Sequence, residues 1–290
     1  MRFTEADARA LDRIIGLVDD GILDRELALS MTRAVARSTE RLAVWQAQLV
    51  AESLLPATGE DVDIGRADPA VATEVAASFL TLADELEPLL TYAWRRHLVA
   101  ALTRIMSDAS PQETGIGTTR VVGFADLVNF TALVRRVSER QLATMVQRFE
   151  RLASDIVTAH GGRVIKTVGD EVLFVAAEPL SGTAIALDLV DAMAEEPMLP
   201  QVRVGVSYGP VLSRMGDVFG TTVNRAARLT AVAPTGRVLA DENLAARLAS
   251  LSGFHLHPLR RRHLRGIGLV TPSDVTRSRG DRLPSALADA

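Results

Sequence analysis

The chain has 290 residues, 48% of them hydrophobic and 23% charged, with a formal net charge of −4 at pH 7, which is enough for one large or two ordinary domains with a real core. It contains no cysteine, so disulfides and thiolate metal sites are excluded. Its negative charge and 4% aromatic content argue against a basic nucleic-acid binder and against a stacking platform for single strands.

No apolar run reaches the roughly 18 residues a membrane span needs. The nearest, around Phe79–Trp94, is broken by Asp84, Glu85 and Glu87. The N-terminus lacks a basic-then-apolar leader, and the expectation is a cytoplasmic protein with neither membrane nor nucleic acid as partner.

Residues 1–107 read as all helix. Thr4 followed by Asp7 is an acidic variant of a capping box, and Leu11, Ile14, Ile15 and Val18 follow at helical spacing up to Gly21. Arg25–Val35 and Glu40–Leu55 read as two further amphipathic segments, and 56–68 as a loop rich in Gly, Pro and Asp. From Pro69 to Ser107 the pattern is helical again, interrupted near Pro88. Residues 1–110 carry 11 Arg against 18 Asp plus Glu, leaving the remainder net positive. Such asymmetry suits electrostatic contact between the two parts, and equally two independently solvated surfaces.

Residues 108–118 form a linker by composition. Thr119–Phe124 is then a short strand, with helical spacing through Leu133–Val137 and a longer helix from Glu139 to His160, ended by Gly161-Gly162. Val164–Val168 and Val172–Val175 flank a Gly169-Asp170 step, a hairpin signal. A helix over 182–195, strands at Val202–Tyr208 and Val211–Met215, a loop at 216–220 and a helix at Val223–Ala233 follow. Arg237–Ala240 is a strand and Glu242–Ala249 a helix. Leu256–Leu264 and Leu269–Val275 read as terminal strands, and 277–290 as a flexible tail. Strand, two helices, two hairpin strands, helix, strand is an α+β order, with helices covering an antiparallel-rich sheet.

Three sets of residues carry candidate chemistry. Asp126 leaves the first strand and Asp170 tips the hairpin. If those strands are neighbours, two converging carboxylates without imidazole or thiolate suit a hard cation and a phosphate substrate. The plainer alternative is a helix N-cap and a turn residue. Glu171 adjoins Asp170 but is expected on the opposite face. Lys166 is the chain's only lysine among 32 Lys and Arg, which suits a compact single-point donor, since lysine and arginine are not interchangeable, and equally a surface lysine beside a hairpin turn. Asn224 and Arg228 sit one helical turn apart, able to reach a ribose and a phosphate or simply to face solvent. Asp217 precedes them in a Gly-flanked loop.

Together these motifs resemble the class III nucleotidyl cyclases over residues 119–276. Phe-Ala-Asp-Leu-Val-Asn-Phe-Thr (124–131) looks like the family's first metal-binding stretch, Lys-Thr-Val-Gly-Asp (166–170) like the second, and Asp-Val-Phe-Gly-Thr-Thr-Val-Asn-Arg-Ala-Ala-Arg (217–228) like the third. The resemblance implies a ferredoxin-like βααββαβ catalytic domain preceded by an all-α N-terminal domain. It implies Asp126 and Asp170 as ligands for two Mg²⁺ or Mn²⁺ ions per site, Lys166 and Asp217 as readers of the purine, Asn224 on the ribose and Arg228 on the transferring phosphorus. Arg265, in Leu-Arg-Gly-Ile-Gly, takes a basic position the family uses on the triphosphate, or is a surface arginine. A head-to-tail homodimer is implied, with each site shared between subunits and ATP as substrate. Lysine donating to adenine N1 and aspartate accepting from its 6-amino group suit ATP, whereas guanine offers the reverse pattern. The rivals are a guanylate cyclase, a catalytically silent nucleotide-binding module and a diguanylate-cyclase or polymerase-palm relative.

The helical N-terminal part loosely resembles the pH-responsive module of some bacterial soluble cyclases. His97, its only histidine, would then change charge near pH 6.5 and alter how the region docks. Otherwise these helices only aid dimerisation and His97 is a partly buried core residue.

Overall fold

The computed structural model describes residues 3–54, 69–108, 118–214 and 216–278. The loop expected at 56–68, nearly all of the 108–118 linker and the tail beyond 278 lie outside the described residues. Backbone contacts divide the chain into two units, 1–107 and 108–290.

In the first unit, α1 (Glu5–Asp19) starts on the expected capping box, with the Thr4 hydroxyl accepting from the Asp7 N–H and the Asp7 carboxylate accepting from the Thr4 N–H. Gly21, at φ +70°, closes it. The two segments expected between 25 and 55 are one helix, α2 (Arg25–Leu54). The sequence between them holds no Gly or Pro, and Thr39 turns its hydroxyl back onto the Val35 and Ala36 carbonyls, so nothing stops the helix. The helix α3 (Pro69–Asp108) likewise runs through Pro88, losing one backbone donor rather than ending there. Ala28 is the one buried apolar residue among the described residues of this unit, and Trp45, Tyr92 and Trp94 are exposed. His97 is also exposed, not partly buried.

The second unit opens with β1 (Thr118–Leu127), α4 (Phe130–Val134), α5 (Glu139–Ala159), β2 (Arg163–Val168), β3 (Glu171–Ala176), α6 (Pro179–Glu195) and β4 (Val202–Arg214). This is the βααββαβ order. The two strands expected at 202–208 and 211–215 are this single β4, and the expected loop after it is a strand, β5 (Asp217–Phe219), that folds back onto β4. Then come α7 (Thr221–Val232), β6 (Val238–Ala240), α8 (Glu242–Leu248), β7 (Phe254–Pro258), β8 (Arg262–Leu264), β9 (Gly268–Val270) and β10 (Ser273–Arg277).

The main sheet runs β2-β3-β1-β4-β6-β10-β7 and is antiparallel except where β4 meets β6. Both faces of its centre are buried. On one face Phe149, Ile156, Ile185 and Leu189 of α5 and α6 cover Val121, Ala125, Val172 and Phe174. On the other, Val122, Phe124, Leu173 and Val175 lie with Ala226 of α7.

The helix α7 sits directly on β4. A methyl group at Gly205 would lie 2.2 Å from the Thr230 backbone nitrogen and 2.6 Å from the Ala226 carbonyl oxygen, and one at Gly209 would meet the Thr222 hydroxyl at 2.7 Å. Thr222 donates to the Pro210 carbonyl (2.8 Å) and Thr230 to that of Phe124 (3.2 Å), fastening both ends of the helix. Gly205→Ala is therefore expected to destabilise the protein by about 1–3 kcal/mol, the usual scale of overpacking against atoms that cannot yield. Urea unfolding measures this. Gly16→Ala, at an open helical position, is the control and is expected to be neutral or slightly stabilising.

Candidate active site

Asp126 lies near the end of β1, in register with Glu171 of β3 on one side and Arg203 of β4 on the other. Cross-strand partners share a face of the sheet, so these three side chains emerge together. The β2–β3 turn holds only Gly169 and Asp170. Gly169 has φ +63°, a conformation glycine adopts at little cost. The Leu127 N–H donates to the Asp170 carbonyl at 3.0 Å, which stitches the turn to the residue after Asp126. The strands expected to be neighbours are neighbours, and Asp126 and Asp170 lie at the same end of the sheet.

Arg203 donates from Nε to Asp126 Oδ2 at 2.7 Å, with Nη2 2.6 Å from the same oxygen, and its Nη1 reaches the Ala231 carbonyl at 3.3 Å. Glu171, which the sequence reading left out of the site, belongs to this group. Asp170 is in the turn, outside the alternation of β3, so it does not set where Glu171 points. Burial first, then the charges of Asp126 and Asp170, push the Glu171 carboxyl above its ordinary range, with Arg203 opposing. An acid whose folded pKa is raised binds protons more tightly when folded, so stability falls as pH rises from the ordinary glutamate value toward the raised one. Glu171→Gln is accordingly expected to raise Tm at neutral pH and to leave it unchanged below about pH 4, as read by thermal unfolding across pH.

Lys166 reaches its place through a β-bulge. Val164 pairs with Phe174 and Lys166 with Leu173, so Ile165 is the extra residue. The Lys166 ammonium lies 2.6 Å from Asp217 Oδ2, while the Val218 N–H donates to Oδ1 at 2.8 Å. The hydrogen bond from Lys166 holds the Asp217 carboxyl below the usual aspartate range, against burial and with help from Val218. The sign follows: this pairing is present at neutral and mildly acidic pH and is lost only as pH falls through the lowered pKa.

Asn224 and Arg228 are exposed, one turn apart on the outer side of α7, whose Ala226, Leu229 and Thr230 face inward. Their side chains have no partner among the described residues. Arg265 is exposed between β8 and β9, just before Gly266 at φ +76°. The fold thus gathers three groups: Asp126 and Asp170 with Glu171 and Arg203; Lys166 with Asp217; and Asn224 with Arg228. Sequence reasoning missed Arg203. Its only signal was a charged residue inside the alternating stretch 202–208, and its partner appears only once the β1–β4 register is known.

A sheet of this topology with acidic residues at one end and a lysine–aspartate pair beside it defines a nucleotidyl cyclase catalytic domain. The adenylate and guanylate cyclase catalytic domain family matches residues 118–273. Adenylate cyclases of Streptomyces coelicolor and Glutamicibacter nicotianae are 39% and 38% identical to this chain. The alignments span 96% of this chain in both cases, and 77% and 71% of those relatives. The solved catalytic core of a rhodopsin-guanylyl cyclase with converted specificity, in complex with ATPαS, superposes with a TM-score of 0.52 at 23% identity. It covers 56% of this chain and 97% of that one. The chain belongs to the class III nucleotidyl cyclases. No described helix is long and apolar enough to cross a membrane.

Proposed function

We propose that the chain is an adenylate cyclase that closes ATP to 3′,5′-cyclic AMP with release of pyrophosphate, at two equivalent sites shared between the subunits of a homodimer. The observation that carries the choice of base is the Lys166–Asp217 pair. The lysine donates and the aspartate accepts, matching adenine N1 and the adenine 6-amino group. Guanine would set donor against donor and acceptor against acceptor, and unpaired buried polar groups discriminate strongly. In the free protein each partner satisfies the other; adenine takes over those bonds.

The acidic end of the sheet fits a hard divalent cation. Asp126 and Asp170 offer oxygen donors only, and after burial it is their charges that push up the neighbouring Glu171 carboxyl. Such a pair of carboxylates suits Mg²⁺ or Mn²⁺, ions commonly held by one or two carboxylates plus substrate phosphates. Bound there, two such ions would lower the pKa of the 3′-hydroxyl and draw charge from the phosphate oxygens.

The remaining work falls to the chain's own side chains. Arg203 neutralises Asp126 in the free protein and can turn its guanidinium to a triphosphate. Asn224 orients the ribose and Arg228 stabilises charge developing on the α-phosphate oxygens. The 3′-oxygen attacks the α-phosphorus, the bond to the β-phosphate bridge breaks, and the hydroxyl proton leaves to water. Arg265 supplies a further positive charge for the departing pyrophosphate.

Incubating the purified chain with ATP or GTP and Mn²⁺, and identifying products by chromatography and mass, tests this. Cyclic AMP with pyrophosphate in equal amounts is expected. Cyclic GTP-derived product in excess, or no cyclic product from either nucleotide, overturns it.

A further inference from the structure

We propose that Arg225 and Asp241 form a positioning pair that sets where α7 presents Asn224 and Arg228, an inference that rests on the reading above. Asp241 is fully buried. Its Oδ1 accepts from the Leu244 N–H (2.9 Å), capping α8, and from the Tyr208 N–H (3.2 Å). Its Oδ2 accepts from the Ser207 hydroxyl at 2.7 Å and from Arg225 Nη1 at 3.2 Å. Arg225 is the only cation among these partners, and its Nε is buried with no partner among the described residues. One carboxylate therefore ties β4, α8 and α7 together at a single point.

Arg225 sits between the two residues that matter on α7: it follows Asn224 directly and stands one turn before Arg228. Thr222 and Thr230 fasten the ends of the helix to the backbone of β4 and β1, Ala226 and Leu229 bury its middle turn, and the Arg225–Asp241 pair is the ion pair that fixes that turn against β4 and α8. The helix α7 already lies against Gly205 and Gly209 of β4, so it cannot settle deeper if the tie is cut. It can only rotate or lift, and either motion carries Asn224 and Arg228 with it. Removing the guanidinium would also leave a buried carboxylate without its cation, which favours rearrangement of the surrounding backbone. Arg225 turns to Asp241 and is assigned to act through its neighbours Asn224 and Arg228.

The test uses the full-length chain. Arg225→Leu is expected to lower kcat for cyclic AMP by about a hundredfold with KM for ATP nearly unchanged, the scale of an ångström-sized misplacement of catalytic groups. Mixing then separates positioning from folding. With Asp126→Ala chains, Arg225→Leu chains are expected to regain activity, because one site of the mixed dimer joins intact carboxylates to an intact α7. With Arg228→Ala chains they are expected to regain none. A variant that merely fails to fold rescues with neither partner, and Arg225→Lys, which keeps a charge beside Asp241, then carries the same two mixtures with a smaller loss expected. Rescue by both partners, rescue by neither with either variant, or a kcat for Arg225→Leu within about threefold of wild type overturns the inference. If the unsubstituted chain makes no cyclic AMP, the functional reading fails instead.

Discussion

Alanine at Asp126 or Asp170 is expected to lower kcat by about a thousandfold or more, equivalent to about 4 kcal/mol of lost transition-state stabilisation. The two residues lie where the β2–β3 turn is bonded to the end of β1, and under the proposed reading neither has a substitute. Glu171 is the nearest other acid, but burial and its neighbours' charges raise the pKa of its carboxyl, which weakens its hold on a cation. The two variants are expected to differ in stability. Asp126→Ala leaves the Arg203 guanidinium without its carboxylate, whereas Asp170→Ala relieves some of the repulsion on Glu171. Loss of Mn²⁺ binding, followed by electron paramagnetic resonance, should accompany the loss of turnover in both. Retention of tight Mn²⁺ binding in either variant would contradict the assignment.

The second large effect concerns the base. Lys166→Glu combined with Asp217→Lys exchanges donor and acceptor while keeping an ion pair across the same gap. ATP turnover is expected to fall by about 10³-fold or more and the preference for ATP over GTP to collapse or invert, because a site that reads the base by hydrogen bonds rejects the mismatched pattern by large factors. The single variants are expected to lose ATP turnover without gaining GTP turnover. The ratio of kcat/KM for the two nucleotides is the measurement. An unchanged ratio in the double variant would mean that other groups read the purine.

Much of this site could be read before any coordinates because its residues lie in short segments with fixed spacing. Asp126 leaves an apolar strand, Asp170 sits in a two-residue turn, and Asn224 and Arg228 are one helical turn apart. Local geometry alone constrains such residues. What stayed hidden depends on pairing between distant strands. Arg203 is 77 positions from Asp126 and meets it only through the β1–β4 register. The bulge at Ile165 and the return of β5 onto β4 bring Lys166 to Asp217, and neither leaves a mark in the periodicity. Glu171 stands beside Asp126 only through the β1–β3 register, which local spacing does not reveal.

In the helical unit the errors had another origin. The breaks expected at 36–39 and at Pro88 were inferred from weak local signals. A long helix tolerates a polar stretch, or the loss of one backbone donor, when neighbouring turns remain bonded.

We propose that each site is assembled from two copies of the chain, acidic residues from one and α7 from the other. Mixing Asp126→Ala with Arg228→Ala chains, each inactive alone, tests it most directly. Random pairing gives mixed dimers for half the population, each with one complete site, so the mixture should recover about a quarter of wild-type activity. A mixture as inactive as its components, with mixed dimers shown to have formed, would contradict the claim.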